Sequence, residues 1–281
     1  MSISIAKPKD ALVIGQDTSA GVSLALADMA AGLKAWEIWG VLGWNEIKQR
    51  YRRTFLGPFW ITMTQAIMVG SIGFTFSYLF NTPMQDYMPF LTLGLLVWGL
   101  ISTIIGESCN AFTQNAGFIK QMPLPKSVFV LTLIWRNVLM FAHHMVIYIP
   151  VVIFFDVPLT PQMLWAVPGL LIICLNGYWL GLLLGTLCTR FRDIPPVVSV
   201  MLQVAFFVTP IFWKPQAISQ AVSWIVVWNP LAYMLEAVRG PLLGRPPDFT
   251  ALVIMIFITA AGFVVGVAFF ARYRSRIPYW L

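Results

Sequence analysis

Charged residues are scarce in this chain, and their scarcity excludes an ordinary soluble domain. Only 10% of the 281 residues are charged, whereas 59% are hydrophobic; soluble domains carry about 25% charged residues. The composition therefore predicts a membrane protein, and one membrane domain with a short lead-in segment is the simplest organisation at this length. The net charge of +7 is carried largely by residues beside apolar runs, which favours lipid headgroups over nucleic acid as partners.

Motifs for catalysis and metal binding are also missing. The chain contains no GxxxxGKS/T phosphate loop, no HExxH zinc motif and no GxSxG nucleophile motif. The three cysteines, Cys109, Cys174 and Cys188, have no CxxC spacing and lie in or beside apolar runs, so we interpret them as small buried apolar residues. We therefore expect this chain to have no enzyme activity, no metal and no cofactor of its own.

Long apolar runs predict an all-α membrane protein with six transmembrane helices. About 20 residues cross the hydrocarbon core as a helix, and the basic run from Lys48 to Arg53 lies just before the first apolar run. Because Lys and Arg mark the cytoplasmic side, the N-terminus is predicted to be inside, and alternation places the C-terminus inside as well. The predicted spans are 58–80, 88–108, 128–155, 164–188, 197–213 and 251–271.

The segment before the first span is predicted to be an amphipathic helix in the membrane interface. Apolar residues recur there at steps of three and four from Trp36 to Phe55, and basic helices of this kind lie among lipid headgroups. We divide the chain into a flexible cytoplasmic tail (1–28), this interface helix (29–57) and a six-helix transmembrane domain (58–281). The basic residues expected to face the headgroups are Lys48, Arg50, Arg52 and Arg53.

Two short apolar pieces lie between the last two spans, at 218–228 and 231–243, and neither is long enough to cross. Proline cannot donate a backbone hydrogen bond, so Pro230 fixes a break between them. A re-entrant helix pair is tolerated only inside protein or beside a water-filled cavity, which predicts a pore or gate on the outer side. The alternative is two helices flat on the membrane surface. The residues assigned to the outer gate are Trp224, Trp228, Asn229 and Pro230.

Ionisable residues occur inside the predicted third span. Arg136 and His143 are seven positions apart and share a helix face, and Glu107 near the end of the second span is a candidate partner. Intramembrane ionisable groups suggest function, so two interpretations stay open: structural pairing, or the lining of a wet pathway. The adjacent His143 and His144 are not a metal site, because neighbouring helical side chains point about 100° apart.

Small and aromatic residues each allow two interpretations. Glycines at GxxxG spacing let helices approach closely, either within one subunit or at a dimer seam; they are Gly177, Gly181, Gly185, Gly262 and Gly266. Aromatic side chains could line a channel and contact sugar rings, or face lipid and other helices. The channel candidates are Phe74, Tyr78, Phe206, Phe207 and Phe212.

Five short sequences resemble, in the same order, permease subunits of bacterial polysaccharide ABC exporters. Each is weak alone, but five in order on a matching six-span topology are fairly specific for that type-2 ABC transporter family. They cover most of residues 34–271. The matching segments are NEIKQRYRRTFLGPFW (45–60), NAGFIKQMPLP (115–125), RFRDI (190–194), TPI (209–211) and NPLAYMLEAVR (229–239).

The resemblance implies a homodimer around a channel, with two copies of a separate ATPase subunit that carry ATP and Mg. The implied substrate is a lipid-linked polysaccharide, such as an O-antigen glycan on undecaprenyl diphosphate, exported across a bacterial inner membrane; capsule and teichoic acid stay open. Alternatives from other classes are a membrane enzyme acting on lipid-linked sugars and an ion-coupled transporter with Arg136 and His143 as relay. The resemblance assigns ATPase coupling to Asn115, Phe118, Ile119, Lys120, Met122 and Pro123.

Overall fold

A computed structural model describes residues 18–51, 59–215 and 224–281, and these ranges contain helices and no strand. Two helices precede the membrane domain: α1 (Thr18–Lys34) and α2 (Trp36–Tyr51). The predicted boundary at residue 29 is therefore wrong, because residues 18–28 are helical and Ala35 separates two helices. Helix α1 contacts α6 and α12, and these contacts bury Ala25 and Met29. The sequence pattern of residues 1–28 alone does not reveal such long-range contacts. Residues 1–17 and 52–58 lie outside the described ranges.

Within the described ranges, four helical segments are long and apolar enough to cross a membrane. They coincide within a few residues with the predicted second, third, fourth and sixth spans. The helix at the predicted third span is continuous through a 3-10 turn at Met145–Ile147. The helix at the predicted fourth span begins with the 3-10 turn Pro161–Trp165. The helices are α4 (Met84–Ser108), α6 (Ser127–His144) with α7 (Tyr148–Phe154), α8 (Ala166–Arg190) and α12 (Phe249–Tyr273).

The first and fifth predicted spans correspond to shorter helices. Helix α3 (Phe59–Leu79) has 21 residues, and α9 (Ile194–Val208) has 15. The predicted bounds 197–213 of the fifth span are wrong at both ends. Prolines at positions 195 and 196 fit within the first helical turn, where no amide partner is needed, and the helix ends where Thr209 turns extended before Pro210.

Four short helices complete the described chain. Helix α5 lies between α4 and α6, while α10 and α11 lie between α9 and α12 and are separated at Trp228-Asn229. The last helix, α13, follows α12 after a 3-10 turn at Arg274–Arg276. Their bounds are α5 (Ala116–Gln121), α10 (Trp224–Val227), α11 (Pro230–Leu242) and α13 (Ile277–Trp280).

Long-range contacts place the loops at two ends of the helix bundle. At the end we call the α5 end, α1 contacts α6 and α12, and α13 contacts α5 and α8. At the other, the α11 end, the Tyr87 hydroxyl donates to the Phe212 carbonyl (2.6 Å) and the Tyr148 hydroxyl to the Leu242 carbonyl (2.9 Å). The described parts of the predicted inside loops lie at the α5 end, and those of the predicted outside loops at the α11 end.

The core forms around α4, which packs against α3, α6, α8 and α11. Glycines let the helices come close: a Cβ on Gly177 would lie 2.6 Å from the Ile104 side chain, and one on Gly262 would overlap Trp179. All five GxxxG glycines face neighbouring side chains or backbone of the same chain, so their interpretation as packing within one subunit is confirmed. These contacts fix the positions of the polar and exposed groups described next.

Candidate functional site

Helix α5 exposes apolar side chains at the end of the bundle that also holds the chain's C-terminal helix. Phe118 is 46% exposed and Met122 is 47% exposed, whereas Ile119 packs against the core. Asn115 precedes the helix, and its side-chain amide donates to the Ala111 carbonyl (2.9 Å). Lys120 is exposed on the same helix. The segment is therefore anchored on one side and open to a partner on the other.

A buried carboxylate holds the chain directly after this segment. Asp28 of α1 accepts hydrogen bonds from the backbone amides of Lys126 (3.2 Å) and Ser127 (3.0 Å), and from Nε of Arg274 (2.9 Å). It thereby satisfies free amides at the start of α6 from a different helix. Burial, with Arg274 nearby, lowers the pKa of Lys126. Sequence reasoning missed Asp28, since its partners lie about 100 and 250 residues away and no local pattern marks them.

A second ionic cluster joins α2, α4 and α6. The Arg136 guanidinium donates to Glu107 (2.6 Å) and to Glu46, and the Asn137 amide also donates to Glu107 (2.7 Å). Arg136 is 9% exposed, and the two carboxylate side chains are about one quarter to one third exposed. The predicted pairing of Glu107 with Arg136 is confirmed. Glu46 was missed, because its helix was predicted to lie in the membrane interface and not to pair with the third span.

Arg136 and His143 both lie on α6, seven positions apart as predicted. Within the described ranges no hydrogen bond joins them, and Nε2 of His143 is buried without a partner. It is His144 that lines a cavity of about 220 Å³ between α3, α4 and α6, beside Glu107 and Asn137. Gln65 and Thr103 add further polar groups to its wall. A polar cavity of the kind that a wet pathway needs is therefore present, but it is lined by His144 and not by the predicted His143.

At the α11 end, a buried arginine fastens the irregular backbone that follows α9. Arg239 is 1% exposed, and its Nη1 donates to the Pro210 carbonyl (2.6 Å). Its other two nitrogens donate to one Glu236 oxygen (2.8 and 2.6 Å), and its guanidinium lies 4.0 Å from the Phe90 ring centre. Charged hydrogen bonds and ring stacking together hold the guanidinium in place. Sequence reasoning gave Arg239 no role.

The predicted break at Asn229-Pro230 is confirmed. The Asn229 side-chain oxygen accepts from the Leu231 amide (3.0 Å), and its nitrogen donates to the Thr209 hydroxyl (2.9 Å). Pro230 then begins α11, a position that suits its fixed φ. Trp224 and Trp228 are 60% and 82% exposed. Residues 216–223, which include part of the first predicted piece, lie outside the described ranges.

The five aromatic channel candidates fall into two groups. Phe206, Phe207 and Phe212 form one cluster, with ring centres 5.4 to 6.2 Å apart. Phe74 and Tyr78 form a separate pair on α3, with ring centres 5.0 Å apart. Both members of this pair are more than half exposed, as is Phe207, whereas Phe206 and Phe212 are half-buried.

Helix α2 packs on α6 through a stripe that includes Gly43 of the predicted apolar face but also Trp39 and Glu46, which lie outside that face. Trp39 meets the Trp135 ring (5.8 Å between centres), Gly43 faces the same helix, and Glu46 follows on that side. Trp36 and Trp44 are instead exposed, and the Lys48 amine lies 5.7 Å from the Trp44 ring centre. The chain therefore offers aromatic and basic groups on the free face of α2. The Arg50 side chain, Arg52 and Arg53 lie outside what the structure describes.

Comparisons with known proteins match most of the chain. The family described as ABC-2 type transporter matches residues 38–243. Two proteins of Klebsiella pneumoniae named O-antigen export system permease protein RfbA are 28% and 27% identical, over 83% of this chain and 90% of theirs. A protein of the same name from Myxococcus xanthus is 24% identical over 70% of this chain and 76% of its own length.

Proposed function

This chain belongs to the ABC-2 type transporter family, and on that premise we propose that it is the membrane subunit of an ATP-driven polysaccharide exporter. The observation that carries the proposal is its similarity over 90% of the length of two O-antigen export permeases. The apolar helices suit a transmembrane subunit. Since the sequence has no phosphate loop, we assign ATP and Mg to a separate ABC ATPase subunit.

We propose a lipid-linked glycan as the substrate and a homodimer as the transporting form. Helix α9 has no buried residue, and Phe207 on it is exposed, as are Phe74 and Tyr78 on α3. Two such faces could enclose a passage with aromatic walls, which suits the apolar faces of sugar rings. We place the assembly in a bacterial inner membrane, with the α5 end and both termini in the cytoplasm.

We also propose that six helices cross and that the α10–α11 pair re-enters from the outer side. The 15 residues of α9 rise only about 22 Å, short of a core of about 30 Å. The bent, non-helical segment from Thr209 to Phe212 continues it, and Ile211 there is fully buried. Irregular backbone at this depth requires protein partners; the carbonyls of Pro210 and Phe212 have them in Arg239 and Tyr87.

The burial of α11 favours re-entry over a helix flat on the membrane surface. Leu235 is fully buried and Val238 is 2% exposed, because α11 lies among α4, α8 and α12. A Cβ on Gly169 of α8 would overlap the backbone of Ala237, so the two helices touch directly. A surface helix would keep one side free of such contacts.

We assign the docking of the ATPase to α5. Phe118 and Met122 are the exposed apolar groups that a groove on a partner would cover, and Ile119 ties them to the bundle. With Phe118→Asp and Met122→Asp together, we expect at least tenfold less ATPase to co-purify with the chain, and ATP-dependent export to fall with it. Phe118→Leu with Met122→Leu is the matched control and should retain both. Normal ATPase binding and export by the aspartate variant would overturn the assignment.

A further inference from the structure

Three distant parts of the chain meet at one carboxylate at the α5 end. Asp28 belongs to α1, the amides of Lys126 and Ser127 begin α6, and Arg274 directly follows α12. A fourth hydrogen bond runs back, from the Ser127 hydroxyl to the Asp28 carbonyl (2.9 Å). The contacts span 98, 99 and 246 residues of sequence, so they join elements that the chain itself does not connect closely.

The groups around the Asp28 carboxylate are closely packed and shielded from solvent. The Asp28 side chain is 3% exposed, and a Cβ on Gly32, one helical turn further along α1, would overlap the Ser127 side chain. Charge-assisted hydrogen bonds in such a setting are short and directional. A displacement of the start of α6 by more than a few tenths of an ångström therefore has to move α1 or break these bonds.

Helix α5 lies so close in sequence to the start of α6 that the two should move together. Helix α5 ends at Gln121, and only five residues separate it from Ser127, where α6 begins. Two backbone hydrogen bonds hold this connection: the Leu124 amide donates to the Met122 carbonyl (2.8 Å), and the Val128 amide of α6 donates to the Pro125 carbonyl (3.1 Å). The connection therefore has little freedom to stretch. A partner that moves α5 therefore also moves the α6 terminus that Asp28 holds.

We propose that Asp28 is a positioning residue that transmits movement of α5 to α1 and to the end of α12. The inference rests on the proposed docking of an ATPase at α5. It adds a route by which movement of α5 reaches α1 and α12, which the exposed face of α5 does not contact. Arg274 is the receiving group on the α12 side, since its Nε shares the Oδ2 oxygen of Asp28 with the Lys126 amide.

Asp28→Asn tests the route with little change in volume. The single oxygen of the new amide can still accept from the Ser127 amide, but its NH₂ group then faces two donors, the Lys126 N–H and Arg274 Nε. Asp248→Asn is the matched control. Asp248 also accepts from two helix-terminal amides, Thr250 (2.9 Å) and Ala251 (3.1 Å), but within its own helix at the α11 end. Both changes remove the charge of one capping aspartate, and only the first breaks a link between segments.

The measurement is hydrogen exchange on the purified complex with its ABC ATPase, with and without a non-hydrolysable ATP analogue. In the unaltered complex we expect the analogue to change exchange at 116–122 and also at 272–277. With Asp28→Asn, the change at 116–122 should persist, the change at 272–277 should fall at least twofold, and export per ATP hydrolysed should fall about threefold. Adding Arg274→Gln, whose oxygen can accept from the new amide, should restore part of the response.

The outcomes separate this inference from the function on which it rests. The route would be overturned, and docking at α5 left intact, by one result in the Asp28→Asn complex. In that result the analogue still changes hydrogen exchange at 116–122, and the change in exchange at 272–277 is undiminished. An equal loss with Asp248→Asn would also overturn it, because any weakened cap would then suffice. If the analogue left 116–122 unchanged in the unaltered complex, the docking assignment would fail first, and the route with it.

Discussion

Two buried arginines, one in each half of the bundle, show how differently the same side chain can serve a membrane fold. Arg136 binds carboxylates 90 and 29 residues away and so ties α2 to α4 and α6. Arg239 binds a carboxylate three residues away on its own helix, and its third contact is a backbone carbonyl beyond the end of α9. The first joins regular helices, whereas the second stabilises irregular backbone. Each is placed where apolar packing alone would not fix the geometry.

The largest effect is expected from Arg239→Met. The change removes three hydrogen bonds and a ring contact made by a side chain that is 1% exposed, and it leaves the Pro210 carbonyl buried without its donor. Since a hydrogen bond to a charged group contributes about 1.5–3 kcal/mol, the loss should be about 3–5 kcal/mol. The midpoint of thermal unfolding in detergent should fall accordingly. Arg245→Met is the control: Arg245 also faces Glu236, at 3.3 Å, but is 53% exposed, so its loss should cost less than about 1 kcal/mol. Equal small shifts for both variants would contradict the role of Arg239 in holding the backbone after α9.

Arg136→Met should have a smaller effect, of about 2–3 kcal/mol. Two carboxylates lose their cation, but both are partly exposed and water can solvate them. The comparison with Arg239 is sharpened by adding Glu46→Gln and Glu107→Gln to Arg136→Met, since these changes remove the unpaired charges. Thermal unfolding should then recover at least half of the loss. No recovery would mean that Arg136 acts by packing rather than by joining helices through charge.

The two exposed tryptophans at the α11 end should matter for sealing more than for stability. Trp224→Ala with Trp228→Ala removes side chains that are mostly exposed, so assembly should be nearly unchanged. We expect the ion leak of vesicles containing the protein to rise severalfold without ATP, because a gate would lose its outer seal. Trp36→Ala, which removes a side chain that is 63% exposed at the other end, should leave conductance unaltered. A leak equal to that of the unaltered protein would contradict the gate assignment.

The parts of the fold that the sequence predicted are those decided by local composition. Long uncharged runs located the helices, and the positions of Glu107 and Arg136 towards the same membrane side in neighbouring predicted spans placed them within reach of one another. Asp28 and Glu46 escaped notice because their partners are far away in sequence and each lies in a segment of ordinary composition. The end of α9 was placed too late because a run of apolar residues continues past Thr209, where Pro210 stops the hydrogen-bond ladder.

The most direct test of the account is ATP-driven export by the purified chain and its ABC ATPase in vesicles that contain a lipid-linked polysaccharide. We predict that the chain alone hydrolyses no ATP, and that the complex hydrolyses ATP and moves the glycan from the ATPase side to the opposite side, as measured by its access to a membrane-impermeant glycosidase. ATP hydrolysis by the chain alone, or ATP hydrolysis by the complex with no glycan crossing, would contradict the account.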